Sequence, residues 1–156
     1  MISGTVTVGS KQWNVQVAST SSELLAGLSG VAVLEVDNGI LFDMGADQNA
    51  IEINMSEMLF NLDIIFINST LGVVGIARNV GPGSTPSFEA VDQGARFFLE
   101  VNAGEAVDIE IGDGVAIEGI SSVEPQFIGM VLGAIGLAAV GATTGVVVTK
   151  ALGGRK

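Results

Sequence analysis

Glu52, Met55, Glu57 and Asp63 are the residues of this chain whose types and spacing come closest to chemistry; they lie within AIEINMSEMLFNLDIIFI. Carboxylates brought together this way serve acid–base catalysis or hold calcium. Asp63 stands inside the otherwise apolar LDIIFI. An acid there is either a functional carboxyl with a raised pKa or, more commonly, an acceptor of backbone N–H groups at a strand end. EF-hand ligand spacing is absent here and around Asp108, Glu110 and Asp113. The chain contains no His, Cys or Tyr, which removes Ser–His and Cys–His nucleophiles, thiolate zinc sites and the commonest general base. Before the C-terminal tail the only lysine is Lys11, in a turn-prone stretch. The loop NVGPGSTPS, Asn79 to Ser87, holds Ser84 and Thr85 but lacks the lysine that a phosphate-cradling Walker loop places after its last glycine. No catalytic residue, cofactor or metal ligand is therefore expected. Met55, Glu57 and Asp63 stand as a candidate pocket for a small ligand or peptide.

The elements that would position these residues are mostly strands. Thr5 to Val8 and Trp13 to Val17 alternate around the turn Gly9-Ser10. Thr20, with Glu23 three residues on, forms a capping box for a short helix ending at Gly27 or Gly30. Val31 to Val36 is an apolar run; Asp37-Asn38-Gly39 has hairpin-turn chemistry and leads into a strand over Ile40 to Met44. Ala50 to Met55 alternates, and Leu62 to Ile67 is nearly continuous, as a strand buried on both faces would be. Strands follow over Gly72 to Ala77 and Phe97 to Val101. Ala103 to Ile111 is open between a helical turn and a strand, and Val115 to Ile120 is the last strand, after the turn Asp113-Gly114. Trp13, Phe88, Phe97 and Phe98 read as core. Strands at this spacing predict a mainly β (α+β), compact, barrel-like domain with one or two short helices.

All 17 acidic residues lie at or before Glu124, against Lys11, Arg78 and Arg96, a net charge of −14; Lys150, Arg155 and Lys156 then bring the chain to −11. Such a surface repels nucleic acid and anionic lipid. The N-terminal MISGTVTVGSKQW lacks the basic and apolar regions of a signal peptide.

Five segments together resemble the domain-of-unknown-function family numbered 192. Val17 to Gly30, VASTSSELLAGLSG, follows its V-A-x-T-x-x-E-R-x-x-G-L-M pattern, and Gly39 to Phe42, GILF, its G-M-L-F. Met55 with Leu62 to Ile67 resembles W-M-x-N-T-x-I-P-L-D-I-x-F-I. Phe98 to Gly104, FLEVNAG, and Ile111 to Val115, IGDGV, resemble L-E-L-N-A-G and the later G-D. The resemblance spans about residues 13–117 and implies a small, mostly β fold without a settled activity. Asn54, Glu57, Met58 and Asn61 replace the family's Trp, Asn, Thr and Pro, so a pocket built on that motif would be rebuilt here. Family members are often exported behind an N-terminal signal, whereas the apolar segment of this chain is at its other end.

Phe127 to Thr149 runs 23 residues without a charge, Asn, Gln or His. As a helix it would reach roughly 35 Å, enough to cross a bilayer core of about 30 Å. Gly129, Gly133 and Gly136 fall on one side of that helix, and Ala134, Ala138, Gly141, Ala142 and Gly145 on the other. Small residues on two faces admit two close neighbours. The expected organisation is an acidic β-rich domain over residues 1–122, a hinge at 123–126, a transmembrane or assembly helix at 127–149 and a basic tail at 150–156. The function expected is that of a non-enzymatic, membrane-associated structural protein that self-associates through this helix, a virion or similar shell component being one form. Its partners would be further copies of itself and a lipid bilayer or other assembly proteins, with no nucleic acid bound through the soluble domain. The alternatives are a membrane-tethered binding module with its pocket near Met55 to Asp63, and an enzyme working with carboxylates alone.

Overall fold

A computed structural model of the chain describes residues 1–119; the expected C-terminal helix and tail lie outside the described residues. Nine strands and one short helix follow in order: β1 (Ile2–Val8), β2 (Lys11–Ala18), α1 (Ser21–Ala26), β3 (Asn38–Gln48), β4 (Ala50–Glu52), β5 (Leu62–Ile67), β6 (Val73–Val80), β7 (Ser87–Glu89), β8 (Ala95–Asn102) and β9 (Val115–Glu118). Seven of them form one half-barrel sheet in the order β6-β5-β8-β3-β2-β1-β9, and β4 pairs with β7 beside it. The mainly β, barrel-like expectation is met, with a single helix among the described residues.

Every neighbouring pair is antiparallel except β2 with β3. A parallel pair needs a crossover, and α1 with residues 27–37 supplies it. The Thr20 hydroxyl accepts from the Glu23 amide and the Glu23 carboxylate reaches back to Thr20, so the capping box starts α1 as the spacing predicts. Gly27 ends it at φ 46, a backbone that favours glycine; an added Cβ would also stand 3.1 Å from the Phe42 ring.

The hairpin expected around Asp37 to Gly39 does not form. Residues 31–37 contain no strand, and β3 pairs instead along the free edge of β2, Asn14 beside Asn38 through Ala18 beside Phe42. The long-range pairing wins because β3 gains ladders on both sides, with β2 and β8, while Asn102 Nδ2 holds the preceding loop through the carbonyls of Leu34 and Glu35. Ala103 to Ile111 resolves into turns.

The central strands are buried on both faces, all six residues of β5 among them. One face packs Trp13, Leu41, Ile65, Phe97, Leu99 and Val101 into the first core. The opposite face packs Ile40, Phe42, Ile64, Phe66 and Phe98 into the second, roofed by Leu28, Ile53, Met55, Met58 and Phe88. Phe88 closes on the sheet at Gly75, where a Cβ would come within 2.9 Å of its ring, and it stacks on Phe66 with centroids 4.9 Å apart.

Candidate functional site

On β8 the residues alternate between the two cores, so Phe98 and Glu100 face the second one. Glu100 lies across from Ile40 of β3 and Ile64 of β5 and is 4% exposed. An acid therefore sits in the middle of an apolar sheet face. Burial alone raises its pKa from 4.5 to about 7, because the low-dielectric surroundings disfavour the charged form. The Glu100 side chain makes no hydrogen bond or ion pair among the described residues.

Above Glu100 is a cavity of about 290 Å³. Its floor is Phe42, Phe98 and Glu100, the two rings being stacked with centroids 4.3 Å apart and 8° between planes. Residues 24–29 form one wall, from α1 into its C-cap, and residues 52–58 form the other. The second wall is irregular backbone, yet it is held. Ile53 N donates to Pro86 O, Met55 N to Ser84 O and Gly83 N to Met55 O, while Gly30 N donates to Glu57 O across the two walls. Leu24, Leu28, Ile53, Met55 and Met58 turn apolar groups inward, and Glu52, Asn54 and Glu57 are exposed at the rim. Apolar walls with one convergent polar group are the usual make-up of a small-molecule site, and this volume sits at the small end of that class. A second groove, of about 530 Å³, runs beneath residues 31–35 over β1 and β2, with no buried ionisable group among its lining residues.

Met55 and Glu57, two of the three candidate pocket residues, line the cavity; Asp63 does not. Its carboxylate is fully engaged elsewhere. Oδ1 accepts from Asn79 N at 2.8 Å, and Oδ2 accepts from Gly104 N at 2.8 Å and Ala106 N at 3.0 Å. Asp63 thus joins the end of β6 and the turn after β8 to β5, and the carboxylate cluster of Glu52, Glu57 and Asp63 does not assemble. Among the described residues no three His, Cys, Asp or Glu side chains are grouped to hold a metal ion.

Glu100, the central group of the site, was not singled out by sequence reasoning. A signal existed in FFLEVN, which carries one acid within an apolar run just as LDIIFI does. What the run did not say is which of the two acids would find backbone donors. The cavity is also walled by four of the five segments that carry the family resemblance: residues 17–30, 39–42, the stretch containing Met55, and 98–104. Two of those motifs explain one another, since Gly104 of the NAG stretch, at φ 90, presents its amide to Asp63 of LDIIFI.

The fold recurs in solved structures. A protein put forward as a transcription regulator, from Sinorhizobium meliloti 1021, superposes with a TM-score of 0.66 at 24% identity, over 74% of this chain and 93% of that one. A protein of unknown function from Novosphingobium aromaticivorans superposes with a TM-score of 0.64 at 29% identity, over 71% of this chain and 82% of that one. No curated protein matches the sequence. A family model does, over residues 4–119, all but the first two residues of the half-barrel and both walls of the cavity; its description reads "Uncharacterized ACR", and the chain belongs to this family, DUF192.

Proposed function

We propose that the DUF192 domain of this chain is a small-ligand binding module whose site is the cavity over Glu100. The observation that carries this reading is a carboxyl, 4% exposed and without a side-chain partner among the described residues, at the base of an apolar cavity. Burying an unpaired polar group costs about 1–3 kcal/mol or more, and a purely structural site would be better served by an aliphatic residue between Ile40 and Ile64. A ligand that meets Glu100 would recover that cost on binding.

The reading is one of binding, not catalysis. Acid–base chemistry needs groups in distinct protonation roles converging on one bond. Among the described residues the cavity offers, beside Glu100, only Glu52 and Glu57 as ionisable residues, both exposed at the rim. Nucleic acid is also a poor partner, because residues 1–119 hold 16 acids against three bases. The description of the Sinorhizobium protein as a transcription regulator is therefore not extended to this chain.

The direct test uses the methyl groups of Met55 and Met58 as reporters. With methionines ¹³C-labelled, a panel of fragments of about ten or fewer non-hydrogen atoms, the number a cavity of this size holds, is screened by NMR. Hits that shift both methyls, and lose the effect when Leu28→Trp fills the cavity, support the reading. A panel that leaves both methyls unmoved removes it.

A second reading concerns residues 127–149, and the Gly/Ala pattern on two faces of that stretch favours it. In it the segment tethers the module to a membrane or a protein shell and brings copies of the chain together, as a virion or similar component would require.

A further inference from the structure

The chemical class of the ligand follows from charge and from what the chain withholds, given the binding role of the Glu100 cavity. Residues 1–119 contain three basic side chains, and each is committed elsewhere. Lys11 pairs with Asp37, Arg96 binds both oxygens of Asp43 at 2.8 and 3.0 Å, and Arg78 donates to the carbonyls of Ala106 and Ile109. None of them lines the cavity. Among the described residues the Glu100 carboxyl thus has no counter-charge, and the only other ionisable residues around the cavity there, Glu52 and Glu57, carry the same sign. A cleft lined by one sign of charge concentrates the opposite sign, and a desolvated carboxylate makes its strongest hydrogen bonds with a cationic donor. An anion would be repelled by all three acids. Leu28, Met55, Met58 and Phe98 leave apolar surface for the rest of the ligand, within a volume for roughly ten non-hydrogen atoms.

We propose that the cavity takes a small organic cation, a primary or secondary ammonium on a short apolar stem, with Glu100 as its counter-ion. The ammonium enters against Glu100 and the stem lies along Met55, Met58 and Phe98. The low-dielectric setting makes the pairing pH-dependent as well. Glu100 binds the cation only when deprotonated, and its pKa of about 7 places that change near neutrality. Ile40 and Ile64, which flank it in the sheet, do not titrate, and Glu52 and Glu57 at the rim are exposed acids.

The experiment compares three probes of one shape on the full-length protein: n-pentylammonium, 1-pentanol and pentanoate, titrated against the ¹³C-methyls of Met55 and Met58. At about pH 8 the ammonium should bind at least about tenfold tighter than the alcohol, with pentanoate weakest. Glu100→Gln, whose fold the same methyl spectrum checks, should bring the ammonium down to the alcohol. In the unmutated protein the ammonium affinity should fall about tenfold between about pH 8 and pH 6, and the alcohol affinity should not. A merely structural Glu100 would leave both the preference and the pH profile unmoved. If the alcohol binds as tightly as the ammonium, or Glu100→Gln keeps the preference, the cation assignment is overturned while the cavity remains a binding site. If no probe moves either methyl, and the wider fragment panel does not either, the binding role falls with it.

Discussion

Glu100 and Asp63 are acids of adjacent strands, each nearly removed from water, at 4% and 1% exposure. Asp63 collects three backbone amides and Glu100 collects none, and burial pushes the Glu100 pKa up to about 7. This has a consequence for stability. The folded chain holds that proton between about pH 4.5 and 7, where the unfolded chain has released it; stability contributed by Glu100 therefore falls as pH rises through this window. The loss is on the order of 3 kcal/mol by about pH 8. Urea unfolding of the unmutated protein at pH values on either side of the window should show this fall, and Glu100→Gln should remove that part of it. A variant with the same pH slope as its parent would mean that Glu100 ionises as an ordinary exposed acid. In the sequence both acids had the same appearance, one carboxyl in an apolar run. Only Asp63 was singled out, and the fold gave it the structural role.

At the scale of elements, the Asp63 carboxylate is the joint between three pieces of the sheet. It lies on β5, takes the amide of Asn79 near the end of β6, where φ is 53, and takes those of Gly104 and Ala106 in the turn that follows β8. Asp63→Asn keeps the size but leaves one oxygen for three donors and turns an amide NH₂ toward at least one of them. The expected cost is about 2–4 kcal/mol, read as a lower denaturation midpoint with an unchanged m-value. A change under about 0.5 kcal/mol would show that these amides find other partners. Local rules predicted the elements themselves well. The β1–β2 turn, the α1 capping box with a glycine stop (open between Gly27 and Gly30 in the sequence, made at Gly27), and the doubly buried β5 all follow from neighbouring residues. The Asp37 to Gly39 hairpin failed for the opposite reason: turn chemistry is a local preference, and the open edge of β2 outweighed it.

For the molecule as a whole, residues 1–119 form a continuous half-barrel with two cores built from residues of its own strands and loops. A chain ending at Gly119 is therefore expected to unfold cooperatively and to be a monomer by light scattering, its net charge of −13 opposing association. The full-length chain in mild detergent is expected to form a defined larger oligomer through residues 127–149. Equal protomer mass for both, once the micelle is subtracted, would reduce that segment to an anchor and end the self-association reading. What the sequence by itself determined is what depends on composition and short-range pattern: the β-rich class, the acidic surface, the absence of His, Cys and Tyr chemistry, the capping box and the family motifs in order. What only the tertiary structure decided is which residues meet. The parallel crossover laid residues 24–29 over the second core, the loop at 83–86 held residues 52–58 opposite them, and β8 turned Glu100 up between the two. A periodicity of two says that a strand residue faces one side or the other; it carries no record of what covers that side, because the covering segments come from elsewhere in the chain.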